Sequence, residues 1–444
     1  MLKQNSRRNR IIMFKRVVLF FIGVFLLCSC ANGTRTGGNI GNDTIQFIDL
    51  EASELGIQKH SRFIIRDQIN LDGKNLILPN SVTLVFQGGH LSNGKVTGNN
   101  TKIETNGNVI FNNVRIGGTW IVPKIRTSMF SDLKPSNSLR NVIALANPLV
   151  KNTIYVEKGD YLLTANKNRE VCLPLCSNTT LIIEGTIRLT ANSFPRYDII
   201  RAKGKNIVIT GSGSVVGDKK EHTGTDGEWG MGIRIHNAKN VCVEGLTIRN
   251  CWGDCVYVGG NSKNVIIRDC ILDNGRRQGI SITKADSVVV RKCMISNVFG
   301  TKPEYAIDLE PNQGDTIGYV LIDSVDINNC VGGILTTKGN KNKRGKNAHI
   351  NKIEVKNCTI DGTILFPIRI RRCDYATVEG CTITSSNSNS SIFTTEIGEV
   401  KINDNSISFS MNAVNDIDKR KYKSINVSDC GRKIISNNKT VNNQ

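Results

Sequence analysis

The stretch Val265-Ile-Ile-Arg-Asp-Cys-Ile-Leu-Asp-Asn274 recurs 23 residues later as Val288-Val-Val-Arg-Lys-Cys-Met-Ile-Ser-Asn297. Both stretches begin with an apolar triplet, reach a cysteine five positions later and end on an asparagine four positions after that. Self-similarity in a constant register indicates supersecondary units that stack on one another, because no single unit can bury its own apolar face. The sequence therefore predicts a solenoid.

The cysteine position belongs to a longer column, whose members follow one another at spacings of 23 to 33 residues. Its members are small and apolar: Leu246, Cys270, Cys293, Val325, Cys358 and Cys381. Four positions after them stand Asn250, Asn274, Asn297, Asn329, Gly362 and Ser385. We expect the asparagines to point inward and to stack their amides at a tight bend, as side-chain ladders do between stacked strands.

Apolar triplets mark two predicted sheets. The first sheet is marked by Val241–Val243, Val265–Ile267, Val288–Val290, Ile353–Val355 and Thr377–Val378. The second sheet is marked by Ile233–Ile235, Val256–Val258, Ile280–Ile282, Ile307–Leu309, Ile334 and Ile368–Ile370. Short parallel strands without crossover helices favour an all-β fold, a right-handed parallel β-helix.

The chain before the solenoid has a different composition. Short apolar runs alternate with Gly and Asn turns from about residue 47 to 134, which predicts an N-terminal β-rich entry module. Helical spacing after Ser138, a plausible N-cap, predicts a short capping helix. The predicted organisation is a signal peptide at 1–29, a flexible tether at 30–45, the β-rich module at 46–135 and the β-helix domain at 136–440.

The first thirty residues have the pattern of an export signal. Six basic residues precede the apolar run 17–27, which is short for a membrane span and lies where a signal h-region belongs. Leu27-Cys-Ser-Cys30 resembles the lipobox of bacterial lipoproteins, so Cys30 is the predicted lipidation site. We expect a bacterial outer-membrane lipoprotein, facing the periplasm or the cell surface. An uncleaved anchor helix is the alternative.

Charge indicates the class of partner. The formal net charge is +20, and removal of a leader with six basic and no acidic residues leaves +14. A surface this basic attracts polyanions at long range. For an exported protein we expect an acidic polysaccharide rather than nucleic acid, the alternative being a Lys-rich composition without a selected partner.

The fourteen cysteines do not have the spacing of a disulfide framework. Those of the repeated column read as small buried side chains facing the core. Cys172 and Cys176 can form a disulfide or half of a metal site, but no second ligand pair accompanies them at zinc-like spacing. We therefore expect mostly free thiols and no metal site.

Candidate catalytic residues lie on the outer surface of the second sheet. Period-two alternation there predicts one outward column of Arg234, Tyr257, Ser281, Asp308, Leu335 and Arg369, and a second of His236, Gly259, Thr283, Glu310, Thr337 and Arg371. Asp308 and Glu310 point the same way ~6.6 Å apart, and Asp254 would lie ~10 Å from Asp308. Inverting glycosidases hold their two carboxyl groups ~6.5–9.5 Å apart. These three carboxylates are the predicted acid and base.

Arginines and aromatic side chains accompany the carboxylates. The predicted substrate-binding residues are Arg276, Arg277, Gln278, Arg369, Arg371, His236, and the aromatic residues Trp229, Trp252, Tyr257 and Tyr305. Arginine can hold a carboxylated sugar by bidentate contacts. The segment 219–232 is a predicted wall or lid, and the basic run 338–346 a solvated loop. The alternative for the charged residues is a set of surface salt bridges.

Several stretches carry a family resemblance. Gly227-Glu-Trp-Gly-Met-Gly-Ile233, Cys251-Trp-Gly-Asp-Cys-Val-Tyr257 and Ala306-Ile-Asp-Leu-Glu-Pro-Asn312 look like those of β-helix lipoproteins from Bacteroidota. The main domain resembles the pectin-lyase-like superfamily, which includes polygalacturonases, pectate lyases and phage tailspikes. Family 28 polygalacturonases carry Asp-Asp, Gly-His-Gly and Arg-Ile-Lys on this face. The corresponding stretches here are Gly253-Asp-Cys255, Gln278-Gly279 and Arg369-Ile-Arg371.

The resemblance implies a catalytic carboxylate at Asp254 and substrate binding at Arg369 and Arg371. One aspartate and the histidine of the family have no counterpart, so we predict a rearranged site centred on Asp254, Asp308 and Glu310 in a lipid-anchored glycoside hydrolase, with no cofactor. Lyases of this fold imply an alternative, with Arg276 or Arg277 as base and Asp308 with Glu310 as Ca²⁺ ligands. A non-catalytic carbohydrate-binding or adhesive lipoprotein is the third possibility.

Overall fold

The computed structural model describes residues 11–12, 49–107, 109–131, 135–165, 170–337, 348–385, 390–410 and 423–443. The predicted apolar signal run, the lipidation site Cys30, the tether and the basic run 338–346 lie outside these residues. Two compact units, Met1–Trp120 and Ile121–Gln444, make up the chain. The boundary between them lies N-terminal to the one predicted at residue 135.

The first unit consists of strands that pair in parallel. Its strands are Ile11–Ile12, Asp49–Glu51, Arg62–Ile65, Gln68–Asn70, Asn75–Ile77, Thr83–Phe86, His90–Thr105 and Phe111–Ile121, with a 3-10 helix at Ala52–Leu55. Parallel pairs include Asp49–Glu51 with Asn75–Ile77, and Arg62–Ile65 with Thr83–Phe86. The β-rich module is thus itself built from parallel coils, which the alternation of strands and turns did not reveal.

An aromatic cluster fills the first unit. Phe111 makes edge-on contacts with Phe86 at 5.7 Å and with Trp120 at 6.3 Å between ring centroids. Gly98 lies against Trp120 so closely that a Cβ atom there would come within 2.6 Å of the indole ring. Any larger residue at position 98 would displace the tryptophan.

The second unit begins with Lys124–Arg126, the 3-10 helix Thr127–Met129 and Phe130–Ser131, followed by the α-helix Pro135–Ala144. The helix confirms the predicted capping element, although it begins before Ser138, which therefore is not its N-cap. Leu139, Val142 and Ile143 are buried, as their spacing predicted. The helix packs on the strands Asp160–Leu163 and Val171–Leu175.

Three parallel sheets form the coils of the second unit. Strands of the second sheet alone are Val171–Leu175, Val256–Gly259, Ile280–Ile282, Tyr305–Leu309 and Gly332–Thr336. Strands of the first sheet alone are Asn152–Val156, Thr179–Ile183, Ser262–Arg268, Ala285–Arg291, Thr316–Asp323 and His349–Lys356, with Lys124–Arg126 at its edge. Long strands run through both sheets: Arg196–Thr210, Trp229–Glu244, Ile368–Glu379, Ile392–Asn403 and Ile425–Ser436.

The third sheet was not predicted from apolar triplets, because its strands have three to five residues and many of them bury only one apolar side chain. They are Asp160–Leu163, Thr186–Leu189, Ser214–Val216, Thr247–Arg249, Ile271–Asp273, Met294–Ser296, Asp326–Asn328, Thr359–Thr363, Thr382–Ser385, Ser406–Ser410 and Lys439–Asn443. From Thr247 to Ser385, each strand of this sheet directly follows a member of the repeated apolar column. That column is therefore the entry to a third side of the coil.

The predicted register is confirmed. Ile233, Val256, Ile280, Ile307, Ile334 and Ile368 face one another from coil to coil, and all are fully buried. Each such side chain contributes about 1.5–3 kcal/mol of burial free energy. Together the fold is the predicted all-β parallel β-helix.

The cysteines of the repeated column face the core, as predicted. Cys270, Cys293, Cys358 and Cys381 are each 1% exposed. Their thiols donate to backbone carbonyls two residues earlier, for example from Cys270 to Arg268 O at 3.2 Å. The cysteines that the structure describes form no disulfide. The column is thus packing rather than cross-linking or metal chemistry.

The asparagine ladder is present but does not point inward. Asn250, Asn274, Asn297 and Asn329 adopt left-handed φ angles between 51° and 56° and lie half-buried or exposed at a bend. Asn274 donates to Asn250 at 2.7 Å and Asn329 to Asn297 at 2.6 Å, whereas Asn297 donates to Asp273. Asparagine tolerates this backbone conformation, which is why it recurs at the bend.

A second ladder, missed in the sequence, runs along the bend before the first sheet. Its members Asn178, Asn206, Asn240 and Asn264 are joined by hydrogen bonds of 3.0, 3.1 and 3.0 Å. All four have positive φ angles.

In the part of the chain that the structure describes, no helix is long and apolar enough to cross a membrane.

Replacing Asn240 tests what the ladder contributes. Asn240→Ala removes the bonds to Asn206 and Asn264 and leaves alanine at a φ of 57°. We expect a loss of about 2–3 kcal/mol in the free energy of unfolding, combining the left-handed strain with lost hydrogen bonds. Asn240→Gly should lose less, because glycine accepts the angle. Equal losses in chemical denaturation would contradict the contribution of backbone conformation.

Candidate active site

The outward column of the second sheet is aligned as predicted. Successive coils place Arg234, Tyr257, Ser281, Asp308, Leu335 and Arg369 opposite one another. We call the outer surface from Arg234 to Arg371 the site face. Neighbouring coils in a parallel sheet lie ~4.8 Å apart, so position along the site face can be counted in coils.

Arg277 contacts two of the three predicted carboxylates, Asp254 and Glu310. Its Nη1 and Nη2 atoms donate to the two oxygens of Glu310, both at 2.9 Å. Nη1 also lies 3.5 Å from Asp254 Oδ1. The turns position these side chains, because Arg277 N donates to Gly253 O at 3.1 Å and so stacks one turn on the next.

Asp254 is a buried carboxyl group. It has no exposed surface, and its Oδ2 atom has no hydrogen-bond partner among the described residues. Burial raises the pKa of Asp254 to about 7, an effect that the nearby charge of Glu310 reinforces and that of Arg277 only partly offsets. Asp254 therefore holds a proton up to near neutrality, as a general acid must.

Glu310 and Arg277 are the charged pair of the site. The Glu310 side chain keeps 22% exposure and that of Arg277 11%. Burial alone would lower the pKa of Arg277, but the charge of Asp254 and the hydrogen bonds to Glu310 outweigh it and raise the pKa. A bidentate pair of this kind stabilises the ionised carboxylate. Asp254 and Glu310 thus occupy contrasting environments on one guanidinium.

Asp308 lies beneath the site face. Both its oxygens accept hydrogen bonds at 2.8 Å, one from Gln278 Nε2 and one from Thr337 Oγ1. The Gln278 side chain accepts in turn from Tyr305 N at 3.1 Å, and both Gln278 and Asp308 have no exposed surface. Burial, with the charge of Glu310, raises the pKa of Asp308 well above its usual value. Asp308 in this structure supports the site from below.

The predicted aromatic platforms differ in accessibility. Trp252 is only 9% exposed, since the His222 ring stacks on it at 3.8 Å and the Arg276 guanidinium lies 3.7 Å from its centroid. Tyr305 is buried. Trp229 is 41% exposed, which makes it the most accessible aromatic side chain of the predicted set.

Tyr257 lies flat on the site face. Its hydroxyl is 2.9 Å from Thr283 Oγ1, and Arg234 packs over its ring at 4.5 Å. Gly259 makes this possible, because a Cβ atom there would come within 2.8 Å of the tyrosine ring. Tyr257 is therefore shared between the protein's own arginine and any ligand.

Arg369 and Arg371 form an arginine pair at the C-terminal side of the site face. The Arg369 guanidinium packs over Phe366 and Phe393 at 4.7 and 5.6 Å. Neither arginine forms an ion pair within the described ranges, and both Nε atoms are buried without a hydrogen-bond partner there. Burial and the neighbouring Arg369 lower the pKa of Arg371. Among the described residues, the pair is thus a positive charge without an ion-paired carboxylate.

A second basic cluster, at the N-terminal side, was only partly predicted. Arg201 and Arg234 share the buried carboxylate of Asp198, the latter at 3.7 Å. Burial and then the charges of Arg234 and Arg201 lower the pKa of His236. Arg201 precedes Arg234 in the same column, so extending the column by one coil would have found it. The only sign of Asp198 in the sequence is that a charged residue stands in a strand of mostly apolar residues, where charged side chains are rare.

The segment 219–232, predicted as a wall or lid, is tied to the site by contacts that the sequence does not show. Asp218 accepts from Asn192 Nδ2 at 2.8 Å and lies 2.9 Å from His222 Nδ1, and it also accepts from Tyr197. Glu228 reaches to 3.6 Å from Arg277 Nε. The segment therefore forms a fixed wall.

Arg276 belongs to this wall rather than to an exposed surface. Its Nη1 atom donates to Gly227 O at 3.1 Å and to Trp252 O at 3.5 Å. Burial lowers the pKa of Arg276.

Among the described residues, no three His, Cys, Asp or Glu side chains are grouped closely enough to hold a metal ion.

A cavity of about 770 Å³ lies away from these carboxylates, on the first sheet. It is lined by the second asparagine ladder and by outward side chains such as Val208, Cys242 and Ile266. Its lining contains no carboxylate or histidine, so it lacks acid–base groups. The carboxyl groups described above lie on or beneath the site face instead.

Comparison with known proteins supports the architecture. Residues 190–350 match the family model described as right handed beta helix region. An uncharacterized protein of Bacillus subtilis, YclG, is 29% identical over 225 residues, which cover 44% of this chain. The chain matches only 38% of that relative's length.

Two solved structures are similar to this chain at low identity. The family 28 exopolygalacturonase of Yersinia enterocolitica is 13% identical with a TM-score of 0.44, over 71% of this chain and 78% of the enzyme. A tailspike protein mutant of E. coli bacteriophage HK620, solved with a pentasaccharide, is 14% identical with a TM-score of 0.48, over 70% of this chain and 63% of the tailspike.

The raised pKa of Asp254 predicts how stability depends on pH. Between about pH 4 and 7 the folded protein keeps a proton on Asp254 that the unfolded chain has released. The contribution of this proton to the free energy of unfolding is therefore complete below pH 4 and is lost as the pH rises to 7. Across this window the wild type should lose on the order of 4 kcal/mol relative to Asp254→Asn. Chemical denaturation at each pH measures this difference. The exposed Asp226→Asn is the control, and parallel curves for wild type and Asp254→Asn would contradict the assignment.

Proposed function

We propose that this right-handed parallel β-helix protein is a carbohydrate-active enzyme, a lipid-anchored glycoside hydrolase that acts on an acidic polysaccharide. Glycoside hydrolysis uses one protonated and one ionised carboxyl group on either side of the scissile bond. The observation that carries the proposal is the pair Asp254 and Glu310, held in contrasting environments on the single guanidinium of Arg277. Asp254 is fully buried and has a raised pKa, whereas Glu310 is partly exposed and paired with Arg277, and contrasting surroundings of this kind divide acid and base roles between two carboxyl groups.

Each residue has a distinct role in this proposal. Asp254 donates a proton to the leaving-group oxygen, and Glu310 remains ionised to act on water or on the sugar. Arg277 covers Asp254 in the ligand-free protein, so the substrate must draw the guanidinium aside, which a sugar carboxylate does by offering a bidentate partner. Asp308 stays a third candidate whose burial favours a supporting role through Gln278.

The acidic nature of the substrate rests on charge. Arg369 and Arg371 are half-buried on the site face without a carboxylate partner in the described ranges. Buried positive charge is costly unless a ligand neutralises it. The net charge of +20 on the whole sequence adds a long-range attraction for polyanions.

A β-elimination lyase is the second candidate, favoured by the lowered pKa of Arg276, which would be its base. Asp308 and Glu310 would have to bind the Ca²⁺ that such a lyase can use. Their oxygens already accept hydrogen bonds from Gln278, Thr337 and Arg277, so in this arrangement the pair does not fit a calcium site. Hydrolysis remains the better-supported reaction.

Substitution of the carboxylates tests the proposal. Against a panel of uronic-acid polysaccharides, Glu310→Gln and Asp254→Asn should each lower kcat/KM by at least about 10²-fold, because each removes one proton-transfer group. Reducing ends without an unsaturated product mark hydrolysis, and unsaturated sugars mark the lyase. The matched control is Glu244→Gln on the first sheet, which lies away from the site face.

The outcomes separate the three candidate functions. Binding of the polymer with no product of either kind would support a binding protein and overturn the hydrolase. Turnover that survives both carboxylate substitutions would place the reaction elsewhere on the molecule.

Membrane attachment is tested at Cys30. In cells expressing the full chain, the protein should incorporate labelled fatty acid and fractionate with the outer membrane. Cys30→Ser should abolish both, while Cys28→Ser should leave them unchanged. Labelling that persists in Cys30→Ser would move the lipidation site, and an unlabelled wild-type protein would refute lipid anchoring.

A further inference from the structure

The arrangement of charge along the site face has a direction and two ends. From the charges on either side of Arg277 we infer that this protein is endo-acting: a polyanionic chain crosses the whole site face, with anionic groups bound on both sides of the carboxylate centre. This inference rests on the proposed hydrolase. It specifies that the bond is cut within the polymer and that the polymer carries anionic groups on both sides of that bond.

The N-terminal side offers the first cationic subsite. Arg234 lies opposite Tyr257, which lies opposite Ser281, which lies opposite Asp308. Arg277 directly precedes the strand of Ser281, so two coils, or ~10 Å, separate Arg234 from the coil of Arg277. Among the described residues, Arg234 and Arg201 pair with one carboxylate, that of Asp198, so this subsite keeps net positive charge there.

The C-terminal side offers the second cationic subsite. Ser281 lies opposite Asp308, Asp308 opposite Leu335 and Leu335 opposite Arg369, so three coils, or ~14 Å, separate Arg369 from the coil of Arg277. Arg369 and Arg371 lie on one strand and point the same way, and neither has an ion pair in the described part of the chain. The two subsites are five coils apart, or ~24 Å.

Several side chains between the subsites do not project from the site face. Gly259, Ser281 and Thr283 are buried beside Tyr257, whose ring lies over Gly259. An enzyme that removes terminal sugars needs only one side of its centre to bind the polymer. Two cationic subsites at opposite sides instead fit a chain that continues in both directions, with carboxylates or sulfates several sugars apart.

The two subsites can be tested by binding, independently of turnover. With Glu310→Gln as the background, Arg234→Gln and Arg369→Gln should each weaken binding of a long polyuronate about tenfold or more, as expected when a charged hydrogen bond is lost. Arg291→Gln on the first sheet is the matched control and should bind normally. Arg234→Lys keeps the charge beside Asp198 and should recover part of the affinity.

A sulfated polysaccharide run in parallel distinguishes a carboxylate ligand from a sulfate ligand. Loss of affinity in only one arginine variant, for both polymers, would mean that only one side of the centre binds the chain and would overturn the inference.

Product analysis gives the second readout. The wild-type enzyme should lower the viscosity of the polymer early, when few reducing ends have formed, and should release oligosaccharides first. Mono- or disaccharides as the sole early products would overturn endo-action while leaving the hydrolase intact. Absence of any product would refute the hydrolase, and the binding experiment would still decide whether the chain spans both subsites.

Discussion

The structure depends on in-register parallel pairing between successive coils. One core column consists of Ile233, Val256, Ile280 and Ile307, aligned one above another. The remaining side chains of the same strands are therefore aligned from coil to coil as well. A one-residue slip would turn the core column towards solvent, so burial enforces the register. The same constraint that builds the core therefore positions the side chains of the site face.

At the site, that register concentrates charge where the fold would otherwise exclude it. Asp254 and Asp308 have no exposed surface, yet they lie beside the ion pair of Arg277 and Glu310. Burying carboxyl groups is tolerated here because they are kept protonated or hydrogen-bonded. Burial also sets the two carboxyl groups apart chemically, because it raises the pKa of Asp254 to about 7, whereas Glu310 keeps 22% side-chain exposure and a bidentate ion pair with Arg277.

Periodicity predicted the features that follow from repetition, and missed those that follow from contact. The columns of the first and second sheets could be read from alternation, as could the inward cysteines. The third sheet could not, because a strand such as Ile271–Asp273 buries a single apolar side chain, Leu272, and so carries no apolar triplet. Alternation also placed Asp308 outward without indicating that Gln278 and Thr337 cover it, and it marked Trp252 as a platform although His222 stacks on it. Such contacts join residues of different coils. The alternation within one strand does not indicate where the side chains of another coil point.

The coil spacing also makes the site face divisible into interchangeable units. Arg234, the carboxylate centre and Arg369 belong to different coils, and each coil contacts mainly its two neighbours. Gain or loss of one coil during evolution would shift one charged group relative to another by a single step without redesign of the core. A lineage with this architecture can thus adjust the distance between recognised charges in whole increments, and leave its chemistry untouched.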